Sequence, residues 1–168
     1  LPRQAVYDSS SVTYPVFTAI AAPEVQNKLN GDFAIIAGPY LQNLATGGCE
    51  LDYTLTFVSE KFISMVFFGV LDEGEKEIFA KIPLNIDVQT GAQLALGDVL
   101  NLRDADLLPV LRLLTKKDMV DFSKGIPESW YYNGTNFVFC QRSETGEWLE
   151  ATVAASDLKK FLLKPELF

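Results

Sequence analysis

Between Ile78 and Val88 the chain alternates with a period of two. Ile78, Ala80, Ile82, Leu84, Ile86 and Val88 are apolar, while Phe79, Lys81, Pro83, Asn85, Asp87 and Gln89 between them are mostly polar. Successive side chains of a strand point to opposite faces, so this pattern predicts a long strand with one face in a core and the other near water. Thr90-Gly91 breaks the alternation and Leu94 and Leu96 resume it, so the segment up to Leu100 reads as strand, turn and restart. A strand this long must be paired, and the hairpin-length connections before it point to antiparallel neighbours.

The other elements fit around that strand. Val12 to Ile20 reads as a strand interrupted by Pro15, which lacks an N–H donor and belongs at an edge or bulge. A helix is predicted from Glu24 to about Leu44, with Pro23 at its start and an apolar stripe of Val25, Leu29, Phe33, Ile36, Tyr40 and Leu44. Gly38-Pro39 is expected to kink or split it. Leu51 to Phe57 alternates, and Phe62 to Leu71 is apolar on both faces, as a covered central strand would be. Asp72-Glu73-Gly74-Glu75 reads as a polar turn. A short helical patch is predicted over 99–102, and a helix from Asp104 or Asp106 to about Thr115. Residues 118–129 read as irregular. Asn133-Gly134 between aromatic and β-branched runs predicts a two-residue hairpin turn. Trp148 to Ala154 is a last strand, and Ser156 is expected to cap a closing helix over 157–163. The predicted fold class is α+β: a meandering antiparallel sheet with helices on one face. Its order divides into a strand–helix–hairpin half over 7–72 and a strand–helix–hairpin–helix half over 73–164, expected to pack as one globular unit.

Composition narrows the chemistry. The 168 residues contain no histidine. That excludes nucleophiles activated by histidine and zinc held by histidine, and two cysteines alone cannot complete a structural zinc site. No cofactor or metal is expected. The net charge of −8 argues against nucleic acid, whose phosphates need a basic face, and favours a basic partner through long-range attraction. No apolar run reaches the ~20 residues of a membrane span. Cys49 and Cys140 can form a disulfide in an oxidising compartment, or serve as two small buried hydrophobes in a reducing one. The chain opens on Leu1-Pro2, which fits removal of an upstream secretory or lipid-anchor segment.

Several motifs, taken in order, resemble a known family. Tyr14-Pro15 is followed by Glu24-Val25-Gln26-Asn27-Lys28-Leu29-Asn30, similar to a "YP" strand and a helix with a "V…IN" core. Asp87-Val88-Gln89-Thr90-Gly91, then Leu94, Leu96, Asp98, Val99 and Leu100, is similar to a strand with a Thr-Gly turn and an "L-x-L-x-D" tail. Trp130-Tyr131-Tyr132, Gly134 and Phe137-Val138-Phe139 resemble an aromatic hairpin, and Ala154-Ala155-Ser156-Asp157-Leu158-Lys159 a terminal "IPYSDLK". Together, from about Tyr7 to Leu163, they resemble the domain-of-unknown-function family found in the extracytoplasmic part of the anti-sigma factor RsiV and the non-catalytic region of the peptidoglycan deacetylase PdaC. One departure stands out. Many members carry Gly-Gly-Ala-His before the long strand, where this chain has Asp72-Glu73-Gly74-Glu75. The resemblance implies an α+β domain outside the cytoplasm, secreted or anchored through a segment upstream. It also implies recognition of a cell-wall or protein ligand, since RsiV senses host-type lysozyme, a basic protein, by binding it.

The residues offer these candidate sites. Trp130, Tyr131, Tyr132 and Trp148 could form an aromatic interaction surface, with Asp72 and Glu73 as acidic contacts, although alternation puts Trp130 and Tyr132 on one face and Tyr131 on the other. The irregular stretch 118–129 is a second candidate surface. Asp72, Glu73, Glu75 and Glu77 lack the spacing of a calcium loop and read as a solvated turn. Asp87 and Glu150 are the kind of strand-borne acids a glycosidase would pair. Asn133-Gly134-Thr135 has the form of a glycosylation acceptor and reads as a turn. The function expected is therefore a non-enzymatic extracytoplasmic binding or sensor domain. The alternatives are a carbohydrate-active hydrolase working with Asp and Glu alone and a structural module of an envelope lipoprotein.

Overall fold

The long alternating run does form a strand, β5 (Glu77–Asp87). It belongs to a computed structural model that describes residues 1–7, 10–72, 77–116 and 118–168. The turn expected over 72–75, with Glu73 and Glu75, lies mostly outside those residues, as does Lys117. Alternation in burial holds over the first half of β5 only. At its end Leu84, Asn85 and Ile86 are all buried, so both faces are covered there.

Six strands form one sheet in the order β1 (Pro2–Tyr7), β2 (Ser10–Pro15), β3 (Cys49–Val58), β4 (Phe62–Asp72), β5 and β6 (Ala92–Gln93). The strand β1 was not anticipated, because Pro2-Arg3-Gln4-Ala5-Val6-Tyr7 carries little apolar pattern. It pairs antiparallel with β2, Pro2 facing Pro15, so both prolines stand at strand ends where a missing donor costs least. β2 and β3 run parallel, Val12 opposite Leu51, because helix α1 (Pro23–Asn43) crosses between them. The sheet is therefore mixed, antiparallel between β1 and β2 and parallel between β2 and β3. A second sheet holds β7 (Ser129–Tyr132), β8 (Asn136–Arg142) and β9 (Trp148–Ala154), all antiparallel. The α+β class stands as expected, with the strands shared between two sheets instead of one.

Three local expectations are corrected. Helix α1 continues through Gly38-Pro39 to Asn43, and the Asn43 side chain donates to the Pro39 carbonyl at 2.8 Å, giving that oxygen a partner. The short helix lies earlier than expected, as α2 (Leu96–Val99), with α3 (Leu107–Leu114) after it. The closing segment is not an α-helix but a set of turns with a 3-10 turn at Lys159–Phe161. Its backbone is drawn into strand-like pairing, Leu162 opposite Leu100 and the Leu163 N–H donating to the Val99 carbonyl at 2.8 Å. Seven residues carry too little helix to compete with that.

The described residues gather into two compact units. The first holds residues 1–55, 66–82 and 87–92, and the second 56–65, 83–86 and 93–168. In the first, α1 buries Val25, Leu29, Phe33, Ala37 and Tyr40, and Phe33 packs edge-on to Phe17 and against Phe67. Tyr40 lies so close to Gly69 of β4 that a Cβ there would fall inside its ring. In the second, the core joins Phe62, Leu96, Leu100, Leu107, Leu111, Trp130, Phe137, Phe139 and Phe161.

Candidate functional site

The second unit contains a buried polar bridge. Ser64 of β4 and Asn85 of β5 are both almost fully buried, at 0% and 2% exposure. The Ser64 hydroxyl donates to Asn85 Oδ1 at 2.7 Å and accepts from the Tyr132 N–H at 2.8 Å, while Asn85 Nδ2 donates to the Trp130 carbonyl at 2.7 Å. The need for the bridge follows from topology. β7 is an outer strand, so the backbone groups of Trp130 and Tyr132 that point away from β8 have no neighbouring strand among the described residues. Buried N–H and C=O groups must be paired, and here two side chains replace the missing strand. The sequence carries a faint signal of this, in that Ser64 and Asn85 are polar residues inside the two runs read as covered strands.

Beside the bridge a groove of about 570 Å³ opens. Its walls are Pro83 and Asn85 of β5, the segment from Gln93 to Gly97, Leu102, and Glu128 to Trp130 at the start of β7. The segment is held in place from both ends. The Leu94 N–H donates to the Asn85 carbonyl at 2.7 Å, and the Asp98 carboxylate accepts from the Ala95 N–H at 2.8 Å. Leu94, Leu96, Pro83 and Leu102 make the lining apolar, and Glu128 is its one ionisable side chain among the described residues. A volume of this size, mostly apolar with a few convergent polar groups, is the usual form of a ligand site. A second hollow of about 460 Å³ lies beside β9, lined by Asp118, Met119 and residues Glu147 to Glu150.

The expected aromatic surface is divided by the pleat. Trp130 and Tyr132 point into the core, at 2% and 3% exposure. The Trp130 ring stacks with Phe62 at 6.4 Å and with Phe137 at 5.4 Å between centroids. Tyr131 points the other way and its hydroxyl donates to Glu150 at 2.9 Å. Burial first, and then that carboxylate, raise the Tyr131 pKa well above its ordinary value. Trp148 is half-buried, its Nε1 enclosed with no partner among the described residues. Asp72 is exposed at the end of β4, and its N–H donates to the Gly48 carbonyl at 2.9 Å. Glu73 lies outside the described residues. Nothing therefore brings these six together as one patch among the described residues, and the groove makes use of Trp130 alone.

The remaining candidates serve local structure. The Asp87 carboxylate accepts from the N–H groups of Gln89 and Thr90, at 2.9 and 3.2 Å, closing the turn before Gly91. Glu150 receives the Tyr131 hydroxyl. Cys49 and Cys140 are both buried and are not joined to each other, Cys49 directed at the Tyr40 carbonyl at 3.3 Å and Cys140 at Glu150 at 3.7 Å. The β7–β8 turn is offset by one residue from expectation. Asn133 and Asn136 close it, with the Asn133 N–H donating to the Asn136 carbonyl at 3.1 Å, so Gly134-Thr135 occupies its centre. Gly134 there takes a φ of 92°, which suits a residue without Cβ. Among the described residues no group of three or more Cys, Asp or Glu could hold a metal, and no helix is long and apolar enough to cross a membrane.

Two solved structures share this fold. One is a DUF3298 family member from Bacteroides fragilis, 13% identical, covering 96% of this chain and 90% of its own, with a TM-score of 0.67. The other is a DUF3298 family protein from Pseudomonas aeruginosa, 12% identical, covering 99% of this chain and 94% of its own, with a TM-score of 0.64. Both belong to a domain family of unknown function, and at these identities the likeness is one of fold. No protein-family model matches the chain, and no curated protein matches it.

Proposed function

We infer that this chain is a non-enzymatic binding domain that works outside the cytoplasm, at the bacterial cell envelope, and that its ligand is a protein or wall component met in the groove beside β7. The observation that carries this reading is the groove itself, concave and apolar, with Glu128 as its one ionisable lining residue among those described. Acid–base hydrolysis of a glycosidic bond needs two carboxylates flanking the bond, and the described lining of this groove supplies one. Asp87 and Glu150, the acids that would serve a hydrolase, are engaged by a turn and by a tyrosine. The envelope location rests on the motif resemblance to the RsiV and PdaC domains, with which the DUF3298 neighbours are compatible. The charge of −8 suits a basic protein ligand of the lysozyme kind.

The test is binding of the immobilised chain to hen-type lysozyme at 50 and 500 mM salt, ~10-fold apart, beside a basic protein unrelated to lysozyme. Binding that survives salt and spares the control supports a specific sensor domain. Binding that disappears with salt, or equals the control, reduces the interaction to net charge and removes lysozyme as the ligand.

A further inference from the structure

The open part of β7 has a direction, and the bridge reveals it. Along an antiparallel strand the N–H and C=O of one residue share a side, and the side alternates from residue to residue. Ser64 takes the Tyr132 N–H and Asn85 takes the Trp130 carbonyl, so Tyr132 and Trp130 turn their backbone groups away from β8. The Trp130 N–H follows the same side, and Glu128 sits in the bend just before β7. That is where the groove lies, with Glu128, Ser129 and Trp130 in its wall. Among the described residues no strand pairs with β7 on this side. One end of its outer edge is therefore sealed by two side chains, and the other end opens into a preformed cavity.

We propose that the groove takes an extended peptide segment, added as a short strand to the outer edge of β7, with an aliphatic side chain in the cavity and a lysine or arginine at Glu128. This rests on the binding-domain reading above and names the ligand class for its site. The wall facing β7 suits a side chain more than a backbone. Pro83 offers no N–H, and Leu94, Leu96 and Leu102 are apolar. Main-chain hydrogen bonds to a sheet edge give affinity, and the pocket for alternate side chains gives selectivity. Glu128 is exposed and carries the negative charge of the described lining, which selects a basic residue. A sugar would need an aromatic face to stack on. The Trp130 ring is buried at 2% exposure and stacked with Phe62 and Phe137, so the groove offers its backbone instead.

The experiment uses the full chain, labelled with 15N, and two-dimensional NMR. The probe is acetyl-Lys-Leu-Lys-Leu-Lys-amide. Beside it stand the same peptide N-methylated at both leucines, its Glu-for-Lys counterpart, and chitohexaose. Shifts are expected at 94–97 and 128–130. N-methylation, which removes two backbone donors, is expected to weaken binding by about tenfold or more. Glu128→Gln is expected to erase the preference for Lys over Glu, and Ala95→Trp, which fills the mouth of the groove from an exposed position, to abolish the shifts. Equal binding of the N-methylated peptide overturns strand addition. Shifts from chitohexaose alone at these residues overturn the peptide while leaving a groove that binds. Salt-resistant lysozyme binding without any peptide shift overturns this inference and spares the function proposed above. Silence of every probe, lysozyme included, overturns both.

Discussion

Replacing Ser64 with alanine removes one oxygen and undoes two hydrogen bonds at once. The hydroxyl donates to Asn85 at 2.7 Å and accepts from the Tyr132 N–H at 2.8 Å, in a site with no exposure. A buried N–H left without a partner costs about 1–3 kcal/mol, and the Asn85 oxygen loses its donor as well. The side-chain volume lost is small, so the cavity contribution is minor. A destabilisation of about 3 kcal/mol is expected, which for a chain of this size lowers Tm by roughly 6–12 °C. Asn85→Ala should cost a similar amount. The double variant should cost about 1 kcal/mol less than the sum, because the two side chains share one bond. Urea unfolding followed by Trp fluorescence and far-UV circular dichroism measures this, with agreement of the two probes as the check on two-state behaviour. Thr54→Ala, at an exposed strand position, is the control and should move stability by less than about 0.5 kcal/mol. Hydrogen exchange adds a local readout, since the Tyr132 amide should lose protection first. A Ser64→Ala chain within about 0.5 kcal/mol of wild type, at unchanged denaturant slope and with the Tyr132 amide still protected, refutes the bridge.

Three further outcomes follow from the packing. Gly69→Ala forces a methyl into the Tyr40 ring and should cost about 1–3 kcal/mol in thermal melts, part of it recovered when Tyr40→Leu is added. In alkaline spectrophotometric titration Tyr131 should ionise late among the six tyrosines, and Tyr131→Phe should remove that late phase. Its folded pKa lies above the ordinary 10.0, so its contribution to stability is whole below pH 10 and declines as pH rises towards the folded value; Tyr131→Phe should flatten that alkaline decline. Without reductant, denatured chain should show two titratable thiols and native chain should react slowly, because Cys49 and Cys140 are buried and not joined to each other; absence of thiol in the denatured chain would mean the pair is oxidised.

Much of the secondary structure could be read from spacing because it rests on local periodicity. The strand over 78–88 lies within one residue of β5, the strand over 148–154 coincides with β9, and the stripe from Val25 to Tyr40 is the buried side of α1. The alternation of Trp130, Tyr131 and Tyr132 already placed the first and third on one face. Spacing does not say which face becomes core. That is decided by what packs against the strand, and Phe62 and Phe137 bury Trp130. Local pattern was silent on β1, whose pairing with β2 compensates for a weak sequence, and on the parallel junction of β2 with β3. It misjudged the closing segment because Val99 and Leu100, some sixty residues earlier, supply the backbone partners. The candidate site depends on separations of the same order. Asn85 meets Trp130 across 45 residues, and Ser64 meets Tyr132 across 68. Sequence alone therefore determined most of the strands, the main helix and the exclusion of histidine chemistry, each a property of neighbouring residues or of composition. Only the tertiary structure decided the split into two sheets, the sealed and open ends of β7 and the groove beside it, because those arise where backbone groups from distant segments must find partners once water is excluded.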